Sequence, residues 1–560
     1  MTVFAGIDVG NATTEVVLAR LSRGAMEVVA AGRAPTRRAK GTPESLVGAV
    51  SLVRRLERQH GIRVEQAFAA PLRPIVTDSA SLAADRPVTG RLRVVTSGAA
   101  TAGGAGFGAG RPIRFGDPIS GADPVVVVVP SGPRYDEVAR ALAQYATTGQ
   151  LVGVLLEDDE AVLVANRLPV EVPIIDGVTA GAVLGATRVA VEVPHDGRPL
   201  RVLTDALKLA AALGLAPDET SDAAALASEL FDATNAVVAL GGDSPVGVAH
   251  PTGWIDIAGQ RLPFLVGQSA VREGRVGEAS SYALPPDLIA HEVDDLWTMD
   301  LGAVASSVLA RRSAASERPV AVAAMLAQAG WEDPAAQLCA LLEAPVMTAP
   351  SEAAAARAGA LTTPGATATS VVVDLGGGTI DVAAIHGSAV AAGAGDLLTA
   401  SVAALTGISK AAAEWVKRGP AHRVEAPQLL LAEDGGRTFL DLPAPPGTVG
   451  SLVVRGPAGL LAFSGTMAPG EWRALRLRLK TDLIGMNIAR TLRSLTLTPS
   501  TVVVVGGPAG DDEVLTAVAG ALPPGTAVAR GVVAGTLGHR YAVAYGLLQL
   551  LGQPSGEPAE

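Results

Sequence analysis

The sequence predicts an α/β protein built around two related halves, and three observations predict it. Apolar runs that end in glycine or an acid recur along the chain: TVFAGIDVG (2–10), PVVVVVPSG (124–132), LVGVLLEDD (151–159), SVVVDLGGG (370–378) and TVVVVGGPAG (501–510). They do not alternate with polar residues, so each reads as a strand covered on both faces of a sheet. Helical patterns lie between them, at 42–61, 134–149, 352–363 and 471–495, and strands alternating with helices stack as α/β layers. The third observation is an internal repeat. Residues 4–17, FAGIDVGNATTEVV, laid on 371–383, VVVDLGGGTIDVA, match Asp8 to Asp374, Gly10 to Gly376, Thr13 to Thr379 and Glu15 to Asp381, all at one offset of 366.

The chain has 560 residues, and at roughly 150 residues per domain about three or four structural units are expected. Apolar residues make up 49% and charged residues 18%, a globular balance. Aromatics are only 3%, too few for the stacking platforms that hold nucleic acid. A net charge of −11 also argues against a polyanion-binding surface. The single cysteine, Cys339, excludes an intramolecular disulfide and reads as a small buried helix residue. The N-terminus enters a strand pattern directly, and no apolar run reaches the roughly 20 residues of a membrane helix. A cytoplasmic protein without membrane or nucleic-acid partners is expected.

Each motif has its own reason. A strand that ends in Asp and then glycine lets backbone N–H groups approach phosphate oxygens. Asp8 and Asp374 cannot meet phosphate themselves, so they would act through Mg²⁺ or an attacking water. The glycines of VVVVGGPAG give a third strand end, where adenosine could lie flat against the backbone. In AAAEWVKRG (411–419), Glu414 and Lys417 stand one turn apart, either as an ordinary surface ion pair or as ligands for ribose and purine. Residues 86–123, rich in Gly, Ala, Thr and Pro, read as a loop entering a new unit, and the loop-rich stretch 418–470 as an inserted subdomain. The arginines between 473 and 494 read as a solvated helix face, and the acids of EDDE (157–160) as a solvated run.

The combination D-x-G-N-x-x-T-E, D-L-G-G-G-T-I-D and V-V-G-G resembles the phosphate and adenosine motifs of actin-like ATPases, including the seventy-kilodalton heat-shock chaperones. A closer resemblance spans nearly the whole chain: the large subunit of diol and glycerol dehydratase reactivases. It is carried by AGIDVGNATTEVVLA (5–19), TAGGAGFGAG (101–110), GVLLEDDEAVLVANRLPVEVPIID (153–176), GALTTPG (359–365), GAGD (393–396) and VAVAYGL after Arg540.

The resemblance implies a two-lobed actin-like ATPase with an inserted swivelling α/β domain and a further insert. The expected parts are ATPase lobe at 1–85, swivelling domain at 86–245, ATPase core at 246–395, an insert carrying the adenosine helix at 396–470, ATPase core at 471–551 and a disordered tail at 552–560. It also implies ATP/ADP and Mg²⁺ or Ca²⁺ as cofactors, with no cobalamin held by this chain itself. The implied partners are a small subunit, in a complex of two large and two small subunits, and an adenosylcobalamin-dependent diol or glycerol dehydratase whose damaged cofactor is released.

Residue by residue, the nucleotide loops fall on Asn11, Ala12 and Thr13 and on Gly376, Gly377, Gly378 and Thr379. The adenosine helix falls on Glu414, Trp415, Val416 and Lys417, the glycine turn on Gly506, Gly507 and Pro508, and a nucleotide-contacting arginine on Arg540. Ala12 lacks the hydroxyl usual in the family, and Pro508 has no N–H to donate. A second cation site falls on Thr101, Asp159 and Asp176, all hard oxygen ligands. The segment before it, RLRVVTSGAA, lacks the family's threonine-rich run ending in His-Asn-Pro.

Other chemistries lack their signatures. The seven histidines form no H-x-x-x-H pair, no G-x-S-x-G elbow occurs, and no G-x-x-x-x-G-K-[ST] loop is present. A small-molecule kinase and an actin-like filament protein share the implied architecture and stand as the alternatives. A kinase needs an acceptor pocket with a base; a filament needs self-complementary faces.

Overall fold

The computed structural model describes all residues except 1, 23–24, 74, 84–90, 98–101, 196–199, 217–218, 220–221, 224–225, 228–229, 231–232, 242–252, 286, 310–316, 328–332 and 552–560. The chain divides into two compact units. One comprises Met1–Leu82, Pro251–Val308 and Arg318–Glu560, and the other Ala83–His250 and Leu309–Glu317.

The larger unit repeats one sheet plan twice. In the first sheet, Val3–Val9 pairs antiparallel with Thr13–Ser22, which pairs antiparallel with Ala25–Pro35. On the other side of Val3–Val9, Gln66–Ala69 and then Val346–Thr348 add in parallel. In the second sheet, Val371–Leu375, Thr379–Ala384 and Gly387–Ala392 form the same meander. There Thr501–Gly506 and then Ala527–Arg530 add in parallel. The sequence repeat is thus one corner of a repeated five-stranded sheet. Unbroken apolar runs suit these strands: every residue of Val3–Val9 and of Val371–Leu375 is buried.

Between the sheets lie two helices, Glu352–Ala360 and Ala542–Leu551. The first starts where Ser351 accepts the Ala354 N–H at 3.3 Å, a side-chain cap. Small residues let the two backbones nearly touch. A Cβ at Gly359 would sit 1.9 Å from the Ala542 carbonyl oxygen, and one at Gly546 would sit 1.8 Å from that of Ala355. Phe4, Val17, Val372, Val503, Val543 and Leu547 fill the core around them.

The stretch read as loop-rich, 418–470, contains a five-stranded antiparallel sheet in the order Arg437–Phe439, Leu429–Ala432, His422–Ala426, Leu452–Gly456 and Gly459–Ser464. The helical pattern at 471–495 is a helix Pro469–Lys480, a π-turn Thr481–Gly485 and a helix Met486–Ser494. Its arginines are not all solvated, contrary to expectation. Arg476 and Arg490 are each 1% exposed along the side chain. Arg476 is bound by Glu433 and Glu513 at 2.6 and 2.7 Å, and Arg490 by Asp295 at 2.6 Å. Paired carboxylates offset the cost of burying each guanidinium.

The smaller unit holds an eight-stranded sheet whose centre is Gly106–Arg114, Val125–Val129 and Leu151–Leu156. The reading of 86–123 as a loop is therefore corrected at the strands Leu92–Ser97 and Gly106–Arg114, the second of which holds Gly106, Gly108 and Gly110. A Cβ at Gly108 would meet the Val152 carbonyl oxygen at 1.8 Å, so glycine here marks close backbone approach. Cys339 is also corrected. On the helix Ala335–Leu342 it is exposed, while Leu338 and Leu342, four apart, take the buried face. Among the described residues no helix is long and apolar enough to cross a membrane.

Candidate nucleotide site

The two hairpins match bond for bond. Asp8 stands opposite Glu15, and Asp374 opposite Asp381. The Gly10 N–H donates to the Thr13 carbonyl at 3.0 Å, and the Gly376 N–H to the Thr379 carbonyl at 2.9 Å. Thr13 Oγ1 donates to Glu15 Oε1 at 2.7 Å, and Thr379 Oγ1 to Asp381 Oδ2 at 2.8 Å. Each threonine therefore closes its turn and steadies the second acid. Asn11 and Ala12 form the tip of the first turn, with Ala12 exposed; Gly377 and Gly378 form the tip of the second.

Two residues without a sequence motif complete the acidic end. Lys40 Nζ donates to Glu352 Oε2 at 2.9 Å, its side chain nearly covered. Burial disfavours the Lys40 charge, but Glu352 and then Asp8 outweigh it and hold its pKa above the ordinary lysine value. Burial pushes the Asp8 carboxyl well up, helped by Glu352 and Glu15; burial and then Asp381 do the same for Asp374. Asp381 is pushed up to about 7, again first by burial. Lys40 pulls all three back.

Asp8, Glu352, Asp374 and Asp381 thus bear on one lysine, with Glu15 adding its charge to the two aspartates Asp8 and Asp374, a negative excess that suits a divalent cation. Asp8 Oδ1 is buried with no hydrogen-bond partner, which fits that role. Among the described residues no three His, Cys, Asp or Glu side chains converge on one point. A cation here would take most of its ligands from water and from a bound anion.

The other end of the site is built on the second turn. Gly393 N–H donates to Gly378 O at 2.7 Å, Gly395 N–H to Gly376 O at 3.2 Å and Asp396 N–H to Gly377 O at 2.8 Å. The GAGD segment is therefore clamped to the glycine loop. Lys417 Nζ reaches Glu414 Oε2 at 2.6 Å, Gly395 O at 2.9 Å and Thr399 Oγ1 at 2.6 Å. Glu414 and Lys417 are consequently no idle surface pair; they fix their helix, Lys410–Val416, to the loop. Trp415 is 38% exposed with the Arg418 guanidinium 5.0 Å from its ring centre. Val416 is fully buried, leaving only its backbone to offer.

Gly506 has φ 87°, and a Cβ there would lie 2.4 Å from Asp374 Oδ1, so only glycine fits. Pro508 Cγ and Arg540 Nη1 lie 3.2 and 3.1 Å from the positions a Cβ would take on Gly395 and Gly507. The predicted residues of the loops, adenosine helix, turn and arginine are thereby gathered at one place. At the end formed by the two turns a cleft opens, lined by Gly10, Asn11, Lys40, Arg73, Glu352, Gly376–Thr379 and Asp381. Lys40, Glu352 and Arg73 carry no sequence signal that could have found them.

In the smaller unit Asp159 and Asp176 come together. The Asp176 carboxyl is pushed up by burial and by the neighbouring Asp159, while Asp176 Oδ2 accepts the Ala161 N–H at 3.0 Å. Thr101 lies outside the described residues. The EDDE run is not simply solvated, since Glu157 and Asp158 accept the N–H groups of Ser131 and Gly132, each at 3.0 Å.

Comparison with known proteins agrees along the whole chain. Residues 284–551 match the diol dehydratase reactivase ATPase-like domain, and 93–245 the swivelling domain of the dehydratase-reactivating factor. The chain is 30% identical to the propanediol dehydratase-reactivating factor large subunit of Citrobacter freundii and to the diol dehydratase-reactivating factor large subunit of Klebsiella michiganensis, over 98% of each chain. It also resembles the solved diol dehydratase-reactivating factor in nucleotide-free form, with TM-score 0.66, 27% identity, and 99% and 100% of the two chains covered. A glycerol dehydratase reactivase matches with TM-score 0.65, 26% identity, and 98% and 100% covered. The fold is accordingly an actin-like one carrying a swivelling domain, and these likenesses favour neither the kinase nor the filament. This chain belongs to the family of dehydratase-reactivating factor large subunits.

Proposed function

We propose that the chain is the ATP-dependent large subunit of a factor that frees damaged cobalamin from an adenosylcobalamin-dependent diol or glycerol dehydratase. The observation that carries this reading is a full-length likeness to reactivating-factor large subunits in a chain whose two like hairpins open onto one cleft.

On this reading the N–H groups of residues 10–13 and 376–379 cradle the phosphates of ATP. Glu414, Trp415, the Val416 backbone, Lys417, Gly506, Gly507, Pro508 and Arg540 border the adenosine. Asp8 and Asp374 orient the water that attacks the terminal phosphate, and Lys40, held by Glu352, balances their charge. Mg²⁺, held by the acid cluster through water, would neutralise phosphate charge as it transfers. Asp159, Asp176 and Thr101 form a second cation site in the swivelling domain, facing the small subunit. Two large and two small subunits assemble, and nucleotide turnover exchanges the small subunit for part of the dehydratase. That exchange requires nucleotide to bind the two states with different affinity.

The test uses a dehydratase inactivated with cyanocobalamin, to which this protein, its small partner, Mg²⁺ and adenosylcobalamin are added. Recovery of diol or glycerol dehydration only with ATP supports the reading and names the client. ATP hydrolysis without recovery of any matched dehydratase would sink the client assignment.

A further inference from the structure

We infer that Arg73 reads the terminal phosphate of the nucleotide, exchanging Asp294 for it, and so makes the cleft prefer a nucleoside triphosphate to a diphosphate. The inference rests on the nucleotide reading above and extends it to a residue that no motif marks.

Arg73 follows the strand Gln66–Ala69 and lines the same cleft as Gly10, Asn11 and the glycine turn 376–378. Its neighbour Ile75 packs on that turn, with Ile75 Cβ 2.8 Å from where a Cβ on Gly378 would lie. The Arg73 side chain is 13% exposed and ion-paired with Asp294, which is 50% exposed. Of the two cations lining the cleft, Lys40 is committed to Glu352 and the acid cluster. Arg73 stands outside that cluster, and its planar guanidinium suits two-pronged contact with a phosphate. A half-exposed carboxylate is a partner that a more highly charged, better-desolvated phosphate can displace.

The strand carrying Asp294, His291–Asp300, is also tied to the loop from its other side. The adjacent Asp295 is fully buried; it accepts the Ala392 N–H at 2.8 Å and binds Arg490 at 2.6 Å. Ala392 leads into Gly393, whose N–H holds Gly378. One strand thus grips the glycine turn through Asp295 and the cleft arginine through Asp294. Occupancy of the terminal-phosphate position releases the second grip and leaves the first.

The experiment measures equilibrium binding of ADP and of a non-hydrolysable ATP analogue, each with Mg²⁺, to the full-length wild type, Arg73→Gln and Asp294→Asn. A lost charge-assisted contact corresponds to about a 10- to 100-fold loss of analogue affinity in Arg73→Gln, with ADP affinity changed less than about 3-fold. Asp294→Asn, which keeps the arginine and weakens its competitor, is expected to tighten the analogue selectively. Wild-type preference for the analogue retained in a folded Arg73→Gln overturns the assignment alone, as does a selective loss in Asp294→Asn. A wild type that binds neither nucleotide overturns the underlying reading and the assignment together.

Discussion

Lys40 and Glu352, 312 positions apart in the chain, meet at 2.9 Å beside the first hairpin. Lys40 is the positive charge that bears on Asp8, Asp374 and Asp381 as well as on Glu352, so removing the lysine leaves several carboxylates without an offset. Lys40→Met is expected to destabilise the fold by about 3–5 kcal/mol, the cost of breaking a buried pair. Adding Glu352→Leu should recover part of that loss. Chemical denaturation of the two single variants and the double variant measures the coupling, and simple additivity would contradict it.

Asp8→Ala and Asp374→Ala should each lower ATP turnover by about 100-fold or more while leaving the fold intact. Circular dichroism and a single-turnover hydrolysis assay decide this. Wild-type turnover in either variant would falsify the assignment of the acids.

Gly546→Ala tests the closeness of the central helices. With the Ala355 carbonyl oxygen 1.8 Å from the new methyl position, the helices must separate, and overpacking of this kind costs about 1–3 kcal/mol. A lower melting temperature is expected, and an unchanged one would show that the crossing adjusts freely.

The Arg476 cluster gives a pH dependence with a definite sign. Burial raises the Glu513 carboxyl, but Arg476 and Lys480 outweigh it and bring its pKa down from 4.5 to about 2. A carboxyl depressed on folding contributes stability that is present above pH 4.5 and lost as pH falls towards about 2. The urea midpoint should decline across that window, and more shallowly in Glu513→Gln. Equal slopes in the two proteins would remove Glu513 from the account.

The hairpins were legible because each is local: an acid, a glycine turn, a threonine and a second acid within eight residues fix strand, turn and site together. Lys40, Glu352 and Arg73 were not, because RRAKG, PSEAA and APLRP read as ordinary loop and helix-start segments; only the fold brings them to the cleft. Arg476 and Arg490 show a different blindness. Helical spacing tells which residues share a face, not whether acids from distant segments will cover it. Gly108 shows a third: glycine is a turn former by frequency, and its use inside a strand depends on a neighbour that spacing does not reveal.

A nucleotide has a head and a tail and no two-fold axis, so two like halves cannot bind it alike. The matched hairpins can share their hydrogen bonds and still must diverge where the ligand differs. The divergence is visible at the tips, where Asn11 and Ala12 correspond to Gly377 and Gly378, and one carbon deeper, where Glu15 stands for Asp381. The shorter Asp381 joins Lys40 and Glu352, whereas the longer Glu15 lies within reach of Arg540 and Arg33. On the proposed nucleotide reading, two hairpins that share a scaffold and differ by one methylene are thereby turned towards opposite ends of an asymmetric guest.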